Sequence, residues 1–210
     1  ELLRWVLYII LFLTVIQKVG VPVSSFLGAL AAAGVAIGLA LQGSLSNFAG
    51  GIMLLILKPF RIGDSIEVKG HLGTVERIGM FYTTIIKFGN ERVIIPNGPL
   101  FSDNIINYSQ NPTRRDNIIV GIGYGSDLKK AKEILYSLTQ SCPTALQDPA
   151  PVVYVNELAD SSVNFTVRVW SKTEHYWDTH FYLIEQIKLT FDKEGIEIPF
   201  PQRDVHIISQ

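Results

Sequence analysis

The sequence predicts an α+β membrane protein: transmembrane helices first, then a small all-β domain, then a mixed α/β domain. Three observations lead there. Residues 1–57 carry only Glu1, Arg4 and Lys18 as charges, whereas the remaining 153 residues hold the other 34. Beyond residue 58, short alternating runs punctuated by glycine replace the long apolar run. Beyond residue 112 the pattern becomes strand, helix, strand, strand, helix, strand. The near-neutral charge balance provides no basic field for nucleic acid. The single Cys142 rules out an intrachain disulfide framework.

Trp5–Ile16 is a short apolar run between Arg4 and Gln17-Lys18, read as the end of a preceding transmembrane helix (domain 1–18). Glu1 in place of methionine implies a segment upstream. A turn at Gly20-Val21-Pro22 follows. Val19 to Leu57 is then free of charge for 39 residues, nearly two membrane spans. The expected division of domain 19–57 is a spanning helix from about Pro22 to Gln42, a break at Gly43, and a shorter helix Ser44–Leu57. Fourteen residues rise only about 21 Å, which suits a helix lying at the interface or packed under its neighbours. Lys58 and Arg61 follow at once and place the soluble part in the cytoplasm, with Arg4 on the same side and Lys18 on the far side.

The spanning helix is built of small residues. Gly28, Ala32 and Ala36 make one smooth face at helical spacing, and Ala31, Gly34 and Gly38 make a second. Gly34 and Gly38 form a GxxxG pair. Between the faces, Val35 and Leu39 stack four residues apart. Two smooth faces suit a ring in which each copy meets two neighbours, and the apolar seam would then close the axis by dewetting. A helix buried in a larger transporter, or a simple dimerising anchor, would carry similar residues.

Residues 58–109 read as four strands, Ser65–Lys69, Gly73–Phe81, Thr83–Phe88 and Arg92–Pro96, with Gly70, Gly89-Asn90 and Asn97-Gly98 as turns. Residues 110–200 read as Asn117–Tyr124 (strand), a helix capped by Ser126-Asp127 and running to about Ser141, Val152–Leu158 and Val163–Trp170 (strands), and an amphipathic helix Trp177–Glu194. Its expected apolar face is Phe181, Ile184, Ile187 or Lys188, and Phe191. Gly195 ends it before a last strand, Ile196–Phe200. The order is ferredoxin-like. Residues 201–210 contain one more short strand, Asp204–Ile208.

A set of motifs now becomes specific. Gly34-Val-Ala-Ile-Gly-Leu-Ala-Leu-Gln-Gly-Ser-Leu-Ser-Asn47, Lys58-Pro-Phe-Arg-Ile-Gly-Asp64, Val93-Ile-Ile-Pro-Asn-Gly98, Asn104-Ile-Ile-Asn107, Arg114-Arg115, Val167-Arg-Val-Trp-Ser171 and Gly195-Ile-Glu-Ile-Pro-Phe-Pro-Gln202 occur in that order. The series resembles the small-conductance mechanosensitive ion channel family over roughly residues 19–208. The resemblance implies a homoheptamer in the cell inner membrane, opened by membrane tension to release ions and small osmolytes on hypo-osmotic shock. It implies a pore helix kinked at Gly43, a second bend at Gly51, and a gate of two apolar rings at Val35 and Leu39. It also implies an Sm-like β domain, and a C-terminal strand that joins those of six other copies in a small barrel. The chain departs from the family at Val35, where the best-known member has leucine, and at Ala31, often glycine. A membrane-anchored scaffold or a ligand-regulated sensor is the alternative. A transporter would call for ionisable midplane groups that residues 19–57 lack.

No residue set promises chemistry. His71, His175, His180 and His206 are scattered, and the i, i+5 spacing of His175 and His180 does not suit a metal. Gly121-Ile-Gly-Tyr-Gly125 lacks the last glycine of a dinucleotide loop. Cys142 has no histidine and acid company in sequence. Asn107-Tyr-Ser109 and Asn164-Phe-Thr166 match the glycosylation pattern, but the predicted cytoplasmic side makes them irrelevant. Arg114-Arg115 reads as an anchor for the domain linker or a neighbouring subunit. Neither cofactor, metal nor enzymatic activity is expected; the expected partners are other copies of the chain, membrane lipids and permeating solutes.

Overall fold

A computed structural model describes residues 1–20, 22–203 and 205–206. The chain divides into two units, Glu1–Ile106 and Asn107–Gln210.

The first unit opens with helix α1 (Leu2–Lys18) and helix α2 (Ser24–Leu57). Gly20 takes φ +87° in the expected turn; Val21 lies outside the described residues. At 34 residues α2 is about 50 Å long. The helical assignment runs unbroken through Gly43, so the expected division into two helices is corrected. Glycine costs a helix about 1 kcal/mol relative to alanine but removes no backbone donor, and no proline interrupts the run. Lys58 ends the helix in the left-handed region at φ 48°, its N–H still bonded to the Leu54 carbonyl at 3.0 Å.

Strands β1 (Ser65–Val68), β2 (His71–Ile78), β3 (Tyr82–Ile86) and β4 (Arg92–Pro96) form an antiparallel meander, extended at the β1 edge by β5 (Ile106–Asn107). Lys69 and Gly70 both have positive φ, as a two-residue hairpin with Val68 opposite His71 requires. The alternation read in the sequence puts Ile66, Val68, Val75 and Ile85 into one core with Phe60 and Leu100. Leu54, from the last turns of α2, is fully buried in the same cluster. Asn97-Gly98, expected as a turn, begins helix α3 (Asn97–Ser102) instead. Proline at residue 96 ends the strand, and Asn97 is held by side-chain bonds described below.

In the second unit, β6 (Thr113–Ile122) pairs antiparallel with β9 (Val163–Lys172) over its whole length. Between them come α4 (Leu128–Ser141), β7 (Ala145–Leu146) and β8 (Val152–Leu158), the last two also pairing with β9. Asp127 caps α4 by accepting from the Lys129 and Lys130 amides at 2.9 and 3.1 Å. A short 3₁₀ turn (Thr173–His175) leads into α5 (Tyr176–Glu194), closed by Gly195 at φ +72°. Lys130 pairs with Glu194 at 3.0 Å, and this hydrogen bond holds the Glu194 carboxyl below its usual range. The pair lies in solvent, so its contribution is small; it is present above the ordinary carboxylate range and lost as pH falls through the lowered value.

Two expectations change here. The buried face of α5 is Thr179, Leu183, Ile187 and Phe191, so Phe181 and Ile184 lie on an exposed face rather than the core face. Leu183, Ile187 and Phe191, at strict i+4 spacing, join Leu135, Phe165 and Val167 in the core, and Thr179 is buried one turn earlier against Thr144 Oγ1 at 2.7 Å, whereas Phe181 stacks on Trp177 outside the core. Residues 196–200 do not form a strand ladder. The segment is tied to the end of β6 through the Gly123 N–H to Glu197 carbonyl bond at 2.9 Å, and Gln202 N–H reaches Ser161 Oγ at 3.1 Å. Pro199 removes one of the donors a ladder needs, and Pro201 follows directly after the segment. The expected strand Asp204–Ile208 lies largely outside the described residues.

Candidate pore helix and its anchor

Helix α2 has two halves with opposite surroundings. Within the chain its most apolar stretch is entirely unburied, and it is the one described helix long and apolar enough to cross a bilayer. Val35 and Leu39 are 64% and 67% exposed. Beyond the backbone of their own helix, Gly28, Gly34, Gly38 and Gly43 have nothing within 4 Å of where a Cβ would stand, and Ala31, Ala32 and Ala36 are likewise exposed. The small-residue positions thus lie open, as does the apolar seam between them.

The other half is clamped. Gly50 and Gly51 are buried, because backbone from the β unit occupies the space their side chains would take. A Cβ on Gly50 would lie 2.6 Å from the Asn97 carbonyl oxygen and 2.8 Å from the Gly98 nitrogen. On Gly51 it would collide with the Met80 carbonyl oxygen and stand 2.6 Å from Asn97 Nδ2. From the helix side, Asn47 Oδ1 accepts the Gly98 N–H at 3.0 Å, and the Phe48 ring packs on Phe81 with centroids 5.9 Å apart.

Asn97 is the centre of this joint and is fully buried. Its Nδ2 donates to the Gly79 carbonyl at 2.8 Å, its Oδ1 accepts from Thr83 Oγ1 at 2.8 Å, and its N–H donates to the Phe81 carbonyl at 2.9 Å. Asn97→Ala strands the buried Thr83 hydroxyl and the partly buried Gly79 carbonyl. The expected cost is about 2 kcal/mol, read as a lower thermal midpoint of the purified protein; a change below about 0.5 kcal/mol would show that Asn97 carries no anchoring energy.

Sequence reasoning took Gly51 as a bend, by resemblance, and Asn97-Gly98 as a turn, and did not bring them together. Their tie is between parts of the chain some fifty residues apart (Asn47 to Gly98 is 51). The remaining sites behave singly. Cys142 is buried, its Sγ 3.6 Å from Thr144 Oγ1. Among the described residues, no three His, Cys, Asp or Glu side chains gather as metal ligands would. His175 and His180 do not meet; His175 sits beside Asp178 and Glu174, and His180 beside Asp116. Arg114 lies over the rings of Tyr108 and Tyr176, at 4.7 and 3.7 Å.

Comparison with known proteins bears on the whole chain. Residues 1–42 match the family pattern described as mechanosensitive ion channel, transmembrane helices 2/3; residues 43–110 match the mechanosensitive ion channel β-domain; residues 116–198 match the MscS C-terminal domain. An uncharacterised MscS family protein of Synechocystis is 43% identical over 204 residues, covering 97% of this chain and 69% of that protein. The small-conductance mechanosensitive channel of Edwardsiella ictaluri is 44% identical over 176 residues, covering 84% of this chain and 62% of its own length. That of Helicobacter pylori is 34% identical, covering 96% and 74%. The closed-state crystal structure of Helicobacter pylori MscS superposes with a TM-score of 0.88 at 34% identity, covering 96% of this chain and 80% of that one. Arabidopsis thaliana MSL1 shares the fold with a TM-score of 0.78 at 21% identity, covering 95% and 74%. This chain is a member of the MscS family of mechanosensitive ion channels.

Proposed function

We propose that the protein is a tension-gated channel of the cell inner membrane that releases ions and small osmolytes after hypo-osmotic shock. The observation that carries this reading is α2 itself. Its apolar half leaves two small-residue faces and a Val35–Leu39 seam uncovered within the chain, while its other half is bolted to a folded β unit. Seven copies would pack Gly28, Ala32 and Ala36 of one helix against Ala31, Gly34 and Gly38 of the next. The Val35 and Leu39 rings would then face the axis and block ions by dewetting. Stretching the bilayer favours whichever state has the larger in-plane area, so tension shifts a closed–open equilibrium. Bending at Gly43 and Gly51 lets the helices tilt and the rings widen. In this reading residues 1–18 end a preceding transmembrane helix and 19–57 form the pore segment. Residues 58–109 and 110–200 are cytoplasmic domains, Sm-like and ferredoxin-like, and the strand in 201–210 joins a sevenfold barrel.

The test is a patch-clamp recording of the full-length protein in lipid vesicles with suction stepped upward. Stepwise currents above a pressure threshold are expected. Silence at every pressure, with the assembled ring confirmed by mass, would overturn gating by the bilayer alone.

A further inference from the structure

One buried ionisable cluster in the second unit has no part in the pore. Asp116, on β6, has a side chain only 5% exposed, and burying a carboxylate is costly unless it is paired and hydrogen-bonded. Its Oδ2 lies 2.6 Å from Nδ1 of His180, whose side chain is 24% exposed, and its Oδ1 accepts from the Tyr176 hydroxyl at 3.2 Å. Both partners stand on the first turns of α5. The cluster therefore ties the start of that helix to β6. Burial, and then the Asp116 charge, push the Tyr176 phenol up from its ordinary range. Tyr176 therefore stays a neutral donor at physiological pH and supplies no counter-charge.

Among the described residues, the side-chain hydrogen-bond partners of Asp116 are Tyr176 and His180, and of these two the imidazole is the one that can take up a positive charge. From β6, Arg114 lies over the Tyr176 and Tyr108 rings at 3.7 and 4.7 Å, and its charge partly offsets the upward push on the Tyr176 phenol. From α5, Tyr176 stacks parallel to the His180 ring at 6.3 Å, and Trp177 and Phe181 meet it edge-on at 5.8 and 5.5 Å. Asp178 and, from the 3₁₀ turn, Glu174 are taken up by His175 at 3.3 and 3.7 Å. Lys172 at the end of β9 also faces Glu174, at 3.9 Å.

We propose that Asp116 and His180 form a proton-operated latch that holds the start of α5 to β6 more firmly in acid than in alkali. With the imidazole protonated, the contact is a charge-assisted hydrogen bond between opposite charges. With it neutral, Nδ1–H still donates, but the buried carboxylate loses the positive charge on its hydrogen-bonded partner and the latch weakens. Nothing in this device depends on how the pore opens. Through it the second unit would respond to the pH of the compartment it faces.

The test uses the full chain. Amide hydrogen exchange over residues 173–181, corrected for intrinsic rates, is compared at about pH 5.5 and about pH 8, which bracket the histidine range. About fivefold greater protection is expected in acid, the difference between an ionic and a neutral hydrogen bond. The difference should vanish in His180→Gln and persist in His175→Gln. Trp177 fluorescence gives a second reading, because an imidazolium against an indole edge quenches it; acidification should dim it in the native protein and not in His180→Gln. Equal protection at both pH values overturns the latch, even if the fluorescence titrates. So does a difference that survives in His180→Gln.

Discussion

Gly51→Ala is expected to destabilise the first unit by about 2–3 kcal/mol, whereas Gly43→Ala should stabilise its helix by about 1 kcal/mol. The same substitution in the same helix changes sign because of what stands opposite. At Gly43 a new Cβ meets nothing within 4 Å, so only the helix propensity of alanine acts. At Gly51 it meets the Met80 carbonyl and Asn97 Nδ2, and at Gly50 it meets the Asn97 and Gly98 backbone. Backbone cannot rotate away as a side-chain tip can. Relief therefore requires α2 to lift off the β unit, breaking the Asn47–Gly98 bond at 3.0 Å. Thermal unfolding of the purified protein, comparing Gly43→Ala, Gly50→Ala and Gly51→Ala, checks this. Equal small effects at all three would mean that the close approach is not rigid. A hinge at Gly43 adds a separate reading, altered closing or inactivation in Gly43→Ala; unchanged kinetics would count against it.

Leu39→Ser and Val35→Ser should lower the pressure needed to open the channel, with Leu39→Ser the stronger. Hydrating a fully apolar ring costs about 2 kcal/mol for each leucine-sized side chain, and an assembled ring repeats the cost in every subunit. Serine removes most of it and offers a hydroxyl to the water column. Both side chains already stand clear of the rest of the chain, at 67% and 64% exposure, so the substitution should not disturb the subunit's own packing. Any change in gating would then come from the axis and not from misfolding. Unchanged thresholds in both variants, with assembly intact, would remove these rings from the gate.

Much of the architecture could be read from local chemistry. The β4 strand, the β8 strand, the Asp127 cap and the Gly195 stop fall where alternation, capping and the left-handed preference of glycine place them. The misreadings share a cause. Residues 196–200 alternate like a strand, yet Pro199 within them, Pro201 just after and a tie across the end of β6 leave them without a ladder. On α5, several apolar residues compete for the inner face, and periodicity alone did not reveal that Thr179 goes in while Phe181 stays out. The joint around Asn97 was invisible for the opposite reason. Each residue has a sufficient local explanation, and only the fold shows that two glycines in a helix and an Asn-Gly pair some fifty positions later occupy one another's space.

The clamp at Gly50 and Gly51 also sets the mechanics of the free half of α2. A helix held near one end and unsupported along the rest is a cantilever. Val35 stands fifteen residues from Gly50, about 22 Å along the axis. A tilt of about 10° about the clamp, with the helix rigid, would carry Val35 sideways by about 4 Å, while Leu39, closer to the support, would move by about 3 Å. Small rotations at the joint are thus amplified along the beam, more at Val35 than at Leu39.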